Sequence, residues 1–271
     1  TSQRSQHPPQ EPWQRACDGA YRSLLHSRAD NLENDKVSTN KSEAPSKATR
    51  EQMVARIRAA REQWDELVRD TVSRAGLDPR VFVDKGIPQS RVFMLDVIPL
   101  LHRLYEPEPE GARKTLLDVG PQNFAGTAML AELHGRQSFT RLKLDVTAID
   151  LHDKFALLKE LIAPSVEFIV GDLYKVEGRA WDTVVASHVV EHVPNPLKFV
   201  RRLQAVAKDY VIIACPWNEN PLKTKGHINT IDKAFVRELG ARDLRIFTSY
   251  TWGKEREVCL FWLDGTASQA K

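Results

Sequence analysis

The chain has 271 residues, 42% hydrophobic and 28% charged, and its 39 Lys and Arg against 36 Asp and Glu leave a formal charge of only +3. At roughly 100–200 residues per domain this is one sizeable domain or one domain with an appendage, and the balance is that of a soluble globular chain, not a disordered or fibrous one. The near-neutral charge argues against a broad nucleic-acid surface, and no apolar run reaches the ~18 residues that a membrane-spanning helix needs.

Residues 1–48 contain only Leu24, Leu25, Leu32 and Val37 from the Leu/Ile/Val/Phe set. That is too little apolar surface to offset the entropy of ordering them. The segment reads as a polar tail or docking arm, with Trp13, Tyr21, Leu24 and Leu25 as a short anchor. It starts at Thr1 with polar, Pro-rich residues, which suggests a piece of a longer polypeptide rather than a signal peptide. Asn40-Lys41-Ser42 spells a glycosylation sequon, a triplet common by chance, and no glycan is expected. Cys17, Cys215 and Cys259 are far apart and form no CxxC, so neither a disulfide framework nor a thiolate zinc site is predicted. A reducing compartment, the cytoplasm, is the expected location.

From Thr49 the pattern changes. Thr49-Arg50-Glu51-Gln52 predicts a capping box. Met53, Ile57, Ala60, Trp64, Leu67, Thr71 and Ala75 follow at helical spacing until Gly76, which places Trp64 in the core. A second helix is predicted from Ser90 to about Tyr105, kinked at Pro99, and Glu106–Gly111 forms a rigid acidic linker. Residues 49–112 are thus a helical lead-in or cap ahead of a main domain at 113–265. In that domain β-rich runs at 115–119, 144–149, 166–170, 183–186 and 210–214 alternate with helical stretches near 126–134, 153–162, 196–207 and 231–239. Such alternation predicts βαβ units and a parallel sheet. The last two runs, 244–248 and 257–263, are joined by a loop around Trp252-Gly253 too short for a crossover, so they must pair antiparallel. The fold class is α/β: a Rossmann-like sheet of five parallel strands with a terminal antiparallel hairpin.

Ligands of open α/β sheets bind outside the carboxyl ends of the strands. The first strand ends in Asp118-Val119-Gly120, where a glycine permits a tight turn, and the next helix offers its positive end to an anion. The second ends in Asp150, suited to a ribose diol, and the third in Gly171-Asp172-Leu173, where a carboxylate can accept from an adenine amino group. The fourth runs into Ser187-His188-Val189-Val190-Glu191-His192-Val193-Pro194, with histidines suited to general-base work near neutral pH. His188, Glu191 and His192 also spell H-x-x-E-H, but the preceding strand and Pro194 leave no room for the helix a zinc-protease pattern requires. No metal is expected.

These four features, in this order, resemble the class I S-adenosylmethionine-dependent methyltransferases, in particular the small-molecule branch with an hhEHhxxP segment after the fourth strand. The likeness covers about residues 113–263, and the terminal hairpin fits it, since that family inserts an antiparallel seventh strand between the fifth and sixth. The resemblance implies S-adenosyl-L-methionine as cofactor. Asp118, Gly120 and Asn123 would lie at its methionine part, Asp150 at the ribose, Asp172 and Leu173 at the adenine, and Ser187 and His188 near the junction with the acceptor. The chain departs from the family's GxGxG loop at Gln122 and Phe124, whose side chains are expected to narrow the pocket.

After the fifth strand, residues 215–229 form a segment too long for a minimal connection and rich in functional groups, which reads as an acceptor pocket cover. Gly226-His227 resembles a Gly-His pair of the family. His227 is the leading base candidate, followed by His192 and then His188. Glu191, Trp217, Lys223 and Lys225 are expected to contact the acceptor. The function expected from all this is O-methylation of a saccharide or another small-molecule hydroxyl. The alternatives are a non-catalytic binding or scaffold module that kept the fold and lost the cofactor loop, and an RNA methyltransferase, against which the charge speaks. A nicotinamide dehydrogenase is disfavoured by the missing G-x-G-x-x-G. The sequence leaves the oligomeric state open.

Overall fold

A computed structural model describes residues 47–221, 224–249 and 256–267. The proposed arm with its anchor residues, Cys17, the sequon, and Lys223, Trp252 and Gly253 lie outside the described residues. The chain divides into two compact units, residues 1–57 and 58–271. Of the first, residues 47–57 are described, and they begin helix α1 (Lys47–Arg74). The helix starts two residues before Thr49, so that residue lies inside it and does not cap it.

The second unit contains the rest of α1, a π-helical turn at Arg80–Lys85, and helix α2 (Gly86–Leu104). The helical spacing of α1 is real, but its stripe is not core. Trp64 is 45% exposed, and Met53, Ile57 and Leu67 are exposed too. Among its described side chains only Val68 and Val72 are buried. Periodicity defines a face but says nothing of what covers it. Helix α2 begins four residues earlier than Ser90, because its first turn continues from the π-helical turn; the Gly86 N–H donates to the carbonyls of Val81 and Val83. It stays helical through Pro99. Pro99 and Leu95, the residue whose carbonyl loses its usual donor to proline, are both on the exposed side of the helix.

The sheet follows: β1 (Arg113–Val119), helix α3 (Ala125–Leu133), β2 (Lys143–Asp150), helix α4 (Ala156–Ile162), β3 (Glu167–Val170), β4 (Trp181–Ser187), helix α5 (Pro196–Val206), β5 (Ala207–Pro216), helix α6 (Lys233–Leu239), β6 (Arg242–Thr248) and β7 (Glu257–Asp264). Its strand order is β3-β2-β1-β4-β5-β7-β6. β1 to β5 are parallel, and β7 runs antiparallel between β5 and β6, as expected from the sequence. The order reverses between β1 and β4, where a crevice forms.

Consecutive residues of the central strands point to opposite faces, and both faces are buried. Leu116, Val185, Ile212 and Ala214 join α2, α3 and α4 in one core. Leu117, Val184, Ala186, Val211 and Ile213 join α5 and α6 in the other. Cys215 and Cys259, remote in sequence, are direct partners across β5 and β7, with unbonded Sγ atoms 3.4 Å apart. Among the described residues no helix is long and apolar enough to cross a membrane.

Candidate functional site

The carboxyl end of β1 places Asp118 in the crevice, 3% exposed, where it accepts a 2.5 Å hydrogen bond from the Thr127 hydroxyl. Burial pushes its carboxyl up to about 6; the Thr127 bond opposes this, and the charge of Asp150 adds to it. Gly120 follows at φ +73°, and a Cβ there would come within 3.0 Å of Val189 Cγ2. Both the backbone angle and the space therefore favour glycine.

The loop departs from the family pattern in side chains but keeps a glycine-like backbone. Gln122 and Phe124 have φ of +52° and +61°. Neither narrows the crevice, contrary to expectation. Gln122 is exposed, whereas Phe124 is fully buried and packs edge-on against Phe168 in the first core. Asn123 is also turned inward: its Oδ1 accepts from the Ala125 N–H at 3.0 Å, so it braces the loop.

What narrows the crevice is α2. Ser90, Phe93 and Met94 close over Asp118, Gly120, Pro121 and Ser187 and leave a cavity of about 30 Å³. Phe93 stacks on the His188 ring at 3.5 Å between centroids and 16° between planes. Asp96, one turn further on, lies near His188; burial raises its carboxyl, while the charge of His188 and a bond from Ser249 lower it. Nothing in the α2 sequence marked these residues as site residues. A larger hollow of about 310 Å³, lined by His102, Tyr105, Glu106, Glu108 and Arg141 among others, lies at the amino ends of β1 and β2, opposite the crevice.

Asp150 ends β2 half-buried, accepting from the His152 N–H at 3.0 Å, and burial raises its carboxyl. Asp172 accepts from the Tyr174 N–H at 3.0 Å, and Leu173 beside it is buried. After β4 the backbone turns sharply. His188 has φ +58°, and its N–H donates to the Ala214 carbonyl at 2.7 Å. Val190–His192 is a single 3₁₀ turn, so the H-x-x-E-H residues do not share a helix face. That turn buries Glu191 to 1% exposure, and neither of its carboxylate oxygens accepts a hydrogen bond.

The segment after β5 returns to this turn. The Ile228 and Asn229 N–H groups donate to the Glu191 carbonyl, and the Asn229 side chain donates to the carbonyls of Val190 and Val193. His227 and His192 meet edge-on, 4.7 Å between centroids. His227 Nδ1 is 2.6 Å from Glu219 Oε2, and Glu219 Oε1 accepts from Thr224 at 2.8 Å and pairs with Arg256 at 3.3 Å. Glu219 was not singled out by sequence, although it lies only eight residues before His227 in the same loop. Glu191, His192 and His227 each offer a ligand atom, and these atoms all lie within 4.8 Å of one another. Trp217 is half-buried against the second core, and Lys225 is exposed.

The strand order, the antiparallel seventh strand and the acidic strand ends define a class I methyltransferase fold. Residues 117–215 match the family model described as a methyltransferase domain. No curated protein matches the chain in sequence. Among solved structures it is similar to magnesium protoporphyrin IX methyltransferase from Synechocystis, with bound S-adenosylhomocysteine, at 16% identity and a TM-score of 0.50 over 76% of this chain and 98% of that one. A Burkholderia thailandensis 1,6-didemethyltoxoflavin-N1-methyltransferase matches at 17% identity and TM-score 0.47 over 85% of this chain and 98% of that one. An Aquifex aeolicus SAM-dependent methyltransferase matches at 22% and 0.46, over 64% and 92%.

Proposed function

We infer that the chain is an S-adenosylmethionine-dependent methyltransferase acting on a hydroxyl of a small acceptor, with saccharides the first class to test. The carrying observation is the order of groups along the crevice: Asp172, Asp150 and buried Asp118 at the ends of β3, β2 and β1, then an imidazole pair backed by carboxylates after β4 and β5. The donor set fits the cofactor. A buried carboxylate suits its ammonium group, Asp150 its ribose diol and Asp172 its adenine amino group. The cofactor supplies a methyl group on a sulfonium sulfur, open to in-line attack. The chain's own residues then have to align the acceptor, take its proton and exclude water. His227, oriented through Nδ1 by Glu219, is the leading proton acceptor, with the half-exposed His192 beside it. Lys225 is an exposed cation on the same loop, placed to meet an acidic acceptor.

Titration with S-adenosylhomocysteine tests this. Micromolar binding, weakened at least about tenfold in Asp150→Ala through loss of two hydroxyl bonds, is expected, followed by methyl transfer in a saccharide screen. A second reading is favoured by one observation. The cavity at the β1 end of the crevice, under α2, is about 30 Å³, small as one part of a site that typically totals ~300–1,000 Å³. A fold that kept the crevice closed would be a binding module, and absence of binding at millimolar ligand would establish that reading over the enzyme.

A further inference from the structure

We propose that Glu191, His192 and His227 form a binding site for a divalent transition-metal ion, with zinc the chemistry they fit best. The site combines parts that no sequence spacing announces, since two ligands follow β4 and the third sits in the loop after β5.

Three observations carry it. The first is convergence: the three ligand atoms lie within 4.8 Å of one another. Zinc–ligand bonds of ~2.0–2.2 Å place tetrahedral ligands roughly 3.4 Å apart. The cluster must contract by little over an ångström, and His192, with 44% of its side chain exposed, has room to supply that movement.

The second is orientation. His192 Nδ1 lies 2.8 Å from the Gly226 carbonyl, which can only accept, so the proton is on Nδ1 and the lone pair on Nε2, the nitrogen that faces Glu191 Oε1 at 4.0 Å. His227 Nδ1 donates to the Glu219 carboxylate at 2.6 Å, which likewise puts its lone pair on Nε2. Metal-binding histidines are characteristically held this way, one by a carbonyl and one by a carboxylate, so that the other nitrogen is basic and aimed. Glu219 is in turn fixed by Thr224 and Arg256.

The third is independent of the histidines. Glu191 is 1% exposed, and both its oxygens are buried without a hydrogen bond. A carboxylate in that position is costly unless a positive charge meets it. His188 Nδ1 approaches Oε1 at 3.4 Å, but a cation between Glu191 and the two imidazoles would neutralise it directly. Two imidazoles and one carboxylate are a catalytic-type zinc set that leaves a fourth position for water or an acceptor oxygen. The role of the ion rests on the methyltransferase reading, because there it would lower the pKa of the acceptor hydroxyl, the task otherwise left to the imidazoles. The site itself does not depend on that reading.

The test uses the full chain, stripped with chelator and titrated with Co²⁺, whose visible d–d bands report a low-coordinate site, then with Zn²⁺ in competition. One ion per chain at micromolar affinity or tighter is expected. His192→Gln, at a half-exposed position, should abolish the bands, Glu219→Gln should weaken zinc by ~10–100-fold, and His102→Gln, outside the cluster, should change nothing. Circular dichroism confirms folding of each variant. No low-coordinate cobalt spectrum, or undiminished zinc binding in His192→Gln, overturns the proposal. S-adenosylhomocysteine titration of the same samples keeps the two readings apart: binding of it without zinc removes the metal and leaves the methyltransferase, and zinc binding without it does the reverse.

Discussion

Asp118 shows how one buried group ties stability to function. Its carboxyl is pushed from 3.8 up to about 6, chiefly by burial. The folded state therefore holds the proton more tightly than the unfolded one. Stability is greatest below the ordinary carboxylate range and falls as pH rises through about 6. At ~1.4 kcal/mol per tenfold change the penalty near neutrality is on the order of 3 kcal/mol. Asp118→Asn keeps an acceptor for the Thr127 hydroxyl and loses the charge. The variant is expected to melt several degrees above the parent near pH ~7.5 and level with it near pH ~4; a gap that does not change with pH would show the carboxyl is not the cause. On the proposed reading, in which Asp118 meets the ligand's ammonium, the same variant should bind S-adenosylhomocysteine more weakly. The loop that follows invites a second comparison. Gln122 is exposed at φ +52°, so Gln122→Gly trades left-handed strain for chain entropy and should shift stability by under about 1 kcal/mol. Phe124 is buried, and Phe124→Ala should cost ~3–5 kcal/mol in urea unfolding. Equal effects at the two positions would contradict the inward packing of the phenyl ring. Sequence could flag both residues as replacing glycines, but not that one side chain would turn into the core and the other into water, because that is decided by Phe168 on β3.

At the scale of elements the sequence was most legible where the period carried the information. All seven strands, and helices α3 to α6, fall on the runs read from it, since each central strand alternates between two closed cores. It failed where a face needs a partner. The α1 stripe of Met53, Ile57, Trp64 and Leu67 has perfect helical spacing and remains exposed. Helix α2 is the opposite case, for its spacing gave a helix but no hint that Ser90, Phe93 and Met94 close the crevice. The histidine cluster was half-legible: His192 and His227 stood out singly, while their meeting, and the part played by Glu219, depends on the loop after β5 folding back onto the Glu191 carbonyl. The seam between α2 and α3 is testable on its own. Gly126 faces Ser90, whose carbonyl would be 2.7 Å from an added Cβ, with Met94 Cβ at 3.2 Å. Backbone cannot yield as a flexible side chain can, so Gly126→Ala must spread the helices and should cost ~1–3 kcal/mol. A loss under about 0.5 kcal/mol in urea unfolding would mean the seam is already loose.

For the molecule as a whole, the question is how the cavity of about 30 Å³ between α2 and the β1 end of the crevice admits the methionine part of the proposed cofactor. The sheet cannot open, because β1, β4 and β5 are paired through their central residues and buried on both faces. The wall that covers this cavity among the described residues is α2, held there by the Phe93–His188 stack and the Gly126 seam. If the closed form dominates, the apparent dissociation constant is the intrinsic one divided by the open fraction. Weakening either clasp should then raise that fraction, so that stability falls while affinity rises. Phe93→Ala is expected to bind S-adenosylhomocysteine up to about tenfold more tightly than the parent, for a shift of ~1.4 kcal/mol in the opening equilibrium. Gly126→Ala should move the same way. Hydrogen exchange supplies the structural counterpart, with the amides of α2 exchanging faster in the ligand-bound chain while those of β4 and β5 slow. Weaker binding in Phe93→Ala, together with protection of α2 on binding, would instead make the phenyl ring part of the bound site, with α2 closing over the cofactor.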